Sequence, residues 1–124
     1  LPASVSAKVF LRAAYDFEKT GMTNEAIIAY ETALSRWPDY VPLLFALGNA
    51  YYNSHRISKA EEVYRYILLI DSKYPYALNN LADLLFHTQR SEEALKLLDR
   101  VITDDVEIQT LIKNTRKEIK AKKI

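Results

Sequence analysis

The sequence predicts an all-α fold, an α-solenoid of three stacked helical hairpins closed by a C-terminal capping helix. The first observation is that it matches itself after a shift of 34 residues. Ala13, Leu47 and Leu81 share that step, as do Ala14, Gly48 and Ala82, and Phe17, Tyr51 and Leu85. So do Ala26, Ala60 and Ala94, then Tyr30, Tyr64 and Leu98, then Ala33, Ile67 and Val101. Six columns that keep size and polarity through three copies describe stacked supersecondary units, not a single core closed on itself. The second observation is composition: 2 Gly and 4 Pro among 124 residues, with abundant Ala, Leu, Glu and Lys, favours helix throughout. The third is punctuation, because Gly21, Pro38 and Pro75 fall where such hairpins must turn.

In the first unit, Val9, Phe10, Ala13, Ala14 and Phe17 follow helical spacing. Gly21 supplies a left-handed stop, Thr23 is placed to cap the second helix, and Ala26, Ile27, Tyr30, Ala33 and Leu34 form its inner face. Pro38 closes the unit. The second unit runs from about Tyr40 to Asn53, turns at 54–56 and resumes from Ser58 to about Asp71, where Ser58 and Glu61 have capping-box spacing. The third runs from Pro75, a good first-turn proline, to Thr88, and resumes after Ser91 with Glu92 and Glu93 near the positive helix end. A seventh helix, about 105–122, carries Ile108, Leu111, Ile112 and Ile119 as its apolar stripe and is charged elsewhere, as a terminal cap requires. The small residues Ala14, Gly48 and Ala82 let paired helices approach closely. Phe17, Tyr51, Tyr30 and Tyr64 are expected to fill the space between units.

Length is that of one domain. The chain lacks cysteine, which excludes disulfides, thiol chemistry and Cys-ligated zinc and leaves the compartment open between cytoplasm and bacterial periplasm. No apolar run reaches the length of a membrane span. The chain opens at Leu1 without a signal pattern, which suggests a processed product or a piece of a longer protein. The net charge of +1 conceals an asymmetry. From Lys113 onward Lys113, Arg116, Lys117, Lys120, Lys122 and Lys123 stand against Glu118, or +5, while the body holds 11 basic and 15 acidic residues, or −4. An acidic body with a basic tail lacks the broad basic stripe of nucleic-acid binding, so no nucleic-acid partner is expected. The tail serves a helix C-terminus and a soluble stack end. Contact with anionic lipid or nucleic acid is its alternative.

These residues resemble the tetratricopeptide repeat (TPR) family. Its motif places a large residue, Leu, Gly or Ala and then Tyr along the first helix, and Ala, an aromatic, Ala and finally Pro along the second. Repeats 7–40, 41–74 and 75–108 cover nearly the whole chain, and Leu47, Gly48, Tyr51, Ala60 and Tyr64 make the second copy the best match. Departures are Phe10, Leu44 and Leu78 where Trp is common, His55 and Gln89 in place of Gly, and Ser72 and Val106 in place of Pro. The resemblance implies a right-handed solenoid whose first helices line a concave groove. The runs Arg36-Trp37-Pro38, Leu47-Gly48-Asn49-Ala50 and Leu78-Asn79-Asn80-Leu81-Ala82 also look like TPR tails that follow bacterial papain-like cysteine peptidase domains.

Carried onto this chain, the groove positions imply Leu11, Arg12 and Tyr15 from the first unit, and Phe45, Asn49 and Tyr52 from the second. Tyr76, Asn79, Asn80, Asp83, Phe86 and His87 come from the third. Aromatic platforms interleaved with amides suit a peptide, because Asn both donates and accepts and so can pair with main chain. The alternative is that Phe45, Tyr52 and Phe86 are packed against neighbouring helices. Where chaperone-tail binders of the family clamp a terminal carboxylate with Lys, Arg and Asn, this chain has Leu11, Tyr15, Ala46, Tyr76 and Asn80, so that function is not expected.

Catalysis is not expected. Asp83 and His87 share a helix face, but no nucleophile or further ligand accompanies them. His55 lies in a turn beside Ser54, and Glu61–Glu62 and Glu92–Glu93 lie near helix starts, where acids are ordinary. The expectation is therefore a non-enzymatic protein–protein interaction module without cofactor or metal, binding a peptide or partner segment. The alternatives are an accessory module of a larger bacterial enzyme and self-association as a weak homodimer, with the monomer left open.

Overall fold

The structure, a computed structural model, describes residues 3–122, with side chains from Ser6 onward; Leu1 and Lys123 lie outside the described residues. The fold is all-α. Its helices are α1 (Ala3–Lys19), α2 (Thr23–Arg36), α3 (Val41–Asn53), α4 (Ile57–Ile70), α5 (Pro75–His87), α6 (Ser91–Leu98) and α7 (Val106–Lys122), and no strand occurs among the described residues. The chain forms two compact units, Leu1–Ile70 and Asp71–Ile124.

Three turns 34 residues apart end α1, α3 and α5 in the same way. Gly21, His55 and Gln89 adopt φ of 86°, 64° and 67°, the left-handed conformation that stops a helix. In each, the next amide reaches back six residues inclusive: Met22 N to Phe17 O (3.0 Å), Arg56 N to Tyr51 O (2.8 Å) and Arg90 N to Leu85 O (2.8 Å). Gly21, His55 and Gln89 donate in turn to Glu18, Tyr52 and Phe86 carbonyls, completing the Schellman motif. The second helices then start from one repeat position, with Ala26, Ala60 and Ala94 amides donating to Met22, Arg56 and Arg90.

This corrects the two expected caps, Thr23 and Ser58. α2 and α6 begin after Met22 and Arg90, neither of which makes a side-chain cap, and α4 begins at Ile57. Thr23, Ser58 and Ser91 therefore lie inside their helices. The tight turn fixes the entry through backbone bonds and leaves no slot for a capping hydroxyl. Glu92 and Glu93 do fall in the first turn of α6, as charge near the helix start favours.

In the first unit α1 packs on α2 and α3, and α3 lies against both α2 and α4. Ala26, Tyr30 and Ala33 of α2, Leu43, Leu44, Leu47 and Tyr51 of α3, and Ala60, Tyr64 and Ile67 of α4 form the core. Full burial of each large side chain contributes about 1.5–3 kcal/mol. Gly48 is required by a close crossing: a Cβ there would lie 2.8 Å from Tyr64 Cε1 and 3.0 Å from its Cδ1. Phe17 does not fill space between units as expected. It is 43% exposed and Phe10 is 44% exposed, whereas Leu44 and Tyr51, their equivalents on α3, are each 6% exposed. The reason is position, since α3 has a helix on either side in sequence and α1 packs only on the helices that follow it.

In the second unit α5, α6 and α7 pack on one another. Leu78, Leu81, Ala82 and Leu85 of α5 and Ala94, Leu97 and Leu98 of α6 are buried with Ile108, Ile112 and Ile119 of α7. Leu111, expected in that stripe, stays exposed. Asp105 caps α7, its Oδ1 accepting from Glu107 N (2.9 Å) and Ile108 N (3.2 Å). Arg116 of α7 pairs with Asp99 at the end of α6 at 2.9 Å.

Candidate functional site

Twelve residues were expected to bind a partner, and each compact unit holds a set of them. On α1, Leu11 is half-buried while Arg12 and Tyr15 are exposed. Arg12 Nε lies 3.5 Å from Asp16 Oδ1, and Lys19 Nζ sits 5.2 Å from the centre of the Tyr15 ring. Tyr15 thus presents one aromatic face with a cation on it. Below it, Tyr30 donates to Glu18 Oε1 at 2.9 Å. Burial and then that hydrogen bond hold the Tyr30 phenol far above its ordinary pKa.

On α3, Phe45, Asn49 and Tyr52 are half-buried and recur at helical spacing, which puts them on one face. Asn49 is held from the core side, because the fully buried Tyr64 donates its hydroxyl to Asn49 Oδ1 at 2.5 Å. The Phe45 ring lies 6.3 Å from that of Tyr64. The alternative that Phe45 packs on a neighbouring helix is therefore partly met: it rests on α4 and keeps an accessible part. The bond to Tyr64 fixes which way the Asn49 amide points. Burial, then the charge of Glu31, raises the pKa of Tyr51 on the opposite side of α3.

In the second unit, Tyr76 is exposed and meets Tyr74 edge-on at 6.0 Å. Asn79 departs from expectation. It is only 6% exposed, its Nδ2 reaches Asn80 Oδ1 at 3.4 Å, and its Oδ1 has no hydrogen-bond partner. Helical phase turns it toward the core together with Leu78 and Ala82, so it is no surface amide. Asn80, Asp83 and Phe86 are half-buried and His87 is exposed. His87 Nδ1 contacts the Asp83 carbonyl at 2.8 Å and its carboxylate at 3.6 Å, so the main chain, more than the acid, orients the imidazole. The His87 and Phe86 rings are 5.0 Å apart, and Lys122 Nζ of α7 lies 6.0 Å from the Phe86 ring centre. The contribution of Lys122 was not foreseen, because it comes from a helix outside the repeats.

Among the described residues no group of three or more His, Cys, Asp or Glu is arranged to hold a metal ion, and no helix is long and apolar enough to cross a membrane.

A tetratricopeptide repeat family model matches residues 11–76, and a second such model matches residues 54–114. No curated protein matches the chain. Among solved structures, the first TPR of Spaghetti (RPAP3), bound to the HSP90 peptide SRMEEVD, is similar with a TM-score of 0.80 at 23% identity, over 93% of this chain and 90% of that one. The Yersinia enterocolitica type III secretion chaperone SycD, in complex with a peptide of the translocator YopD, has a TM-score of 0.84 at 18% identity, over 96% of this chain and 95% of that one. A tetratricopeptide repeat protein from Parabacteroides merdae has a TM-score of 0.80 at 18% identity, over 93% of this chain and 46% of that one. At these identities the likeness is one of fold.

Proposed function

The chain belongs to the tetratricopeptide repeat family, and from that membership we propose that it is a non-enzymatic protein-interaction module that binds an extended peptide or partner segment on the first helices of its hairpins. In the first unit the binding residues are Leu11, Arg12 and Tyr15 of α1 and Phe45, Asn49 and Tyr52 of α3. In the second they are Tyr76, Asn80, Asp83, Phe86 and His87 of α5. Neighbours of the same fold are peptide complexes, which supports the class of partner.

The observation that carries the reading is the Tyr64–Asn49 bond. A buried phenol at the bottom pre-orients an amide at the surface, between Phe45 and Tyr52 one turn away on either side. A pre-oriented amide loses little freedom on binding a peptide main chain, and flanking aromatics supply the buried area that dominates affinity. The HSP90 peptide SRMEEVD of one neighbour is acidic. Leu11, Tyr15, Ala46, Tyr76 and Asn80 offer no cation where a carboxylate clamp needs one, so the ligand here is chosen by apolar and main-chain contacts.

The test is a peptide array probed with the chain, followed by titration of the strongest binder. Tyr52→Ala should weaken it at least tenfold, a loss of about 1.4 kcal/mol. Unchanged affinity in Tyr52→Ala and Tyr15→Ala would refute the assignment to these faces. Asn49→Ala is a poorer test than the sequence suggests, because it strips Tyr64 of its acceptor and costs stability as well.

A second reading, an accessory module of a larger bacterial enzyme, rests on the resemblance of residues 36–38, 47–50 and 78–82 to TPR tails of bacterial papain-like cysteine peptidases. The reading frame ahead of Leu1 decides it, and the presence or absence of a catalytic domain there is the readout.

A further inference from the structure

The exposed face of α1 is the largest departure from the repeat. Val9, Phe10, Ala13 and Phe17 occupy an arc of about 100° on one side of the helix, and Val9, Phe10 and Phe17 are 60%, 44% and 43% exposed. Phe10 also touches Trp37, with ring centres 5.6 Å apart, which extends the apolar surface to the end of α2. On α3 the equivalent residues are covered, so this surface has the chemistry of a helix-packing face rather than of a solvated one.

We propose that this face pairs with the same face of a second copy of the chain, α1 against α1 in antiparallel array about a two-fold axis near Ala13. Three features favour an isologous pair. The small Ala13 at the centre lets two helix axes approach closely. Phe10 and Phe17 lie three and four residues to either side, so the two-fold sets each Phe10 beside the partner's Phe17. Charge is self-complementary on the flank: Arg12 and Asp16, an exposed pair within one helix at 3.5 Å, come within reach of the partner's Asp16 and Arg12. A helix of 17 residues spans roughly 25 Å, which buries less than the ~800 Å² per partner of a standard interface, so the dimer is weak and forms in the micromolar to millimolar range. The pairing shares Arg12 with the peptide-binding set proposed on α1, so it is tested by the mass of the chain alone, without peptide.

The test is sedimentation velocity and Trp37 fluorescence over a concentration series from low micromolar to submillimolar. Trp37 is the chain's single tryptophan. The expected result is a mass rising toward two chains and an emission that shifts to the red on dilution. Ala13→Glu should weaken association at least tenfold with unchanged helical circular dichroism. Asp16→Lys should weaken it too, and Arg12→Glu together with Asp16→Lys should restore it. A mass of one chain at every concentration overturns the proposal and assigns the face to another polypeptide segment. A dimer indifferent to both Ala13→Glu and the charge reversal overturns it as well. Should Ala13→Glu fail to fold, the fluorescence dilution curve of the unmodified chain and the charge pair still decide.

Discussion

Gly48→Ala should destabilise the protein although alanine is the better helix former. Replacing an interior helical glycine by alanine is worth about 1 kcal/mol in propensity. Against this, the new Cβ would sit 2.8 and 3.0 Å from two carbons of the Tyr64 ring, where ordinary contact begins near 3.4 Å. The ring cannot retreat easily. It has no exposed surface, it lies against Phe45, and its hydroxyl is tied to Asn49 at 2.5 Å. Overpacking of this kind costs about 1–3 kcal/mol, and a strained or broken Tyr64–Asn49 bond adds about 1 kcal/mol. The net loss is therefore about 1–3 kcal/mol, which urea unfolding reads directly as a lower midpoint at unchanged slope. In a chain of this size the melting temperature should fall by roughly 3–5 °C per kcal/mol. The double variant Gly48→Ala with Tyr64→Leu supplies the control: with the ring gone, the alanine should stabilise relative to Tyr64→Leu alone. A Gly48→Ala protein as stable as wild type, or a penalty that survives in the Tyr64→Leu background, would refute the packing argument.

Other outcomes follow from single residues. Gly21→Ala meets no atom within 4 Å but must keep φ near 86°, so it should lose about 1 kcal/mol from backbone strain alone, and Gln89→Gly should gain roughly 0.5–1 kcal/mol at the equivalent turn; equal melting temperatures for all three proteins would contradict this. Asn79→Leu removes a buried oxygen that lacks a partner and should raise stability by about 1 kcal/mol in urea unfolding; a lower stability would mean that Oδ1 is satisfied. The Tyr30 phenol is held above the ordinary value of 10.0, first by burial and then by Glu18. Its contribution is thus complete below about pH 10 and is lost as pH rises further, since the unfolded chain ionises first. Tyr51 and Tyr74, both raised chiefly by burial, act in the same direction. Melting curves at alkaline pH should show this decline, and Tyr30→Phe should make it shallower; an identical pH profile in the variant would remove Tyr30 from the account.

The fold was legible because its signal is repetition. Ala26, Ala60 and Ala94, one column of the repeat, are all fully buried, and the seven helices among the described residues are where spacing places them to within a few residues. The details that escaped are those that depend on neighbours. Phe17 belongs to the same column as Tyr51, yet a column does not say whether a helix lies on its outer side. Asn79 and Asn80 read alike in sequence, and only helical phase separates a core amide from a surface one. The hydroxyl caps expected at Thr23 and Ser58 were plausible by residue type, but the preceding Schellman turn had already set the helix entry. At the candidate site, Phe45 and Tyr52 could be placed on a shared face by arithmetic. The Tyr64 bond that orients Asn49 joins residues 15 apart on different helices, and no local pattern announces it.

The turns at 20–22, 54–56 and 88–90 share one main-chain shape although only the first contains glycine. That shape sets the rotational phase of everything downstream. One extra residue between Phe17 and Met22, for example, would break the bond that closes the turn and swing α2 by about 100° about its own axis, carrying Ala26, Tyr30 and Ala33 away from α1. Side-chain drift is cheap at these corners and changes of length are not, so a lineage of this protein is free to lose its glycines long before it can gain or lose a residue there.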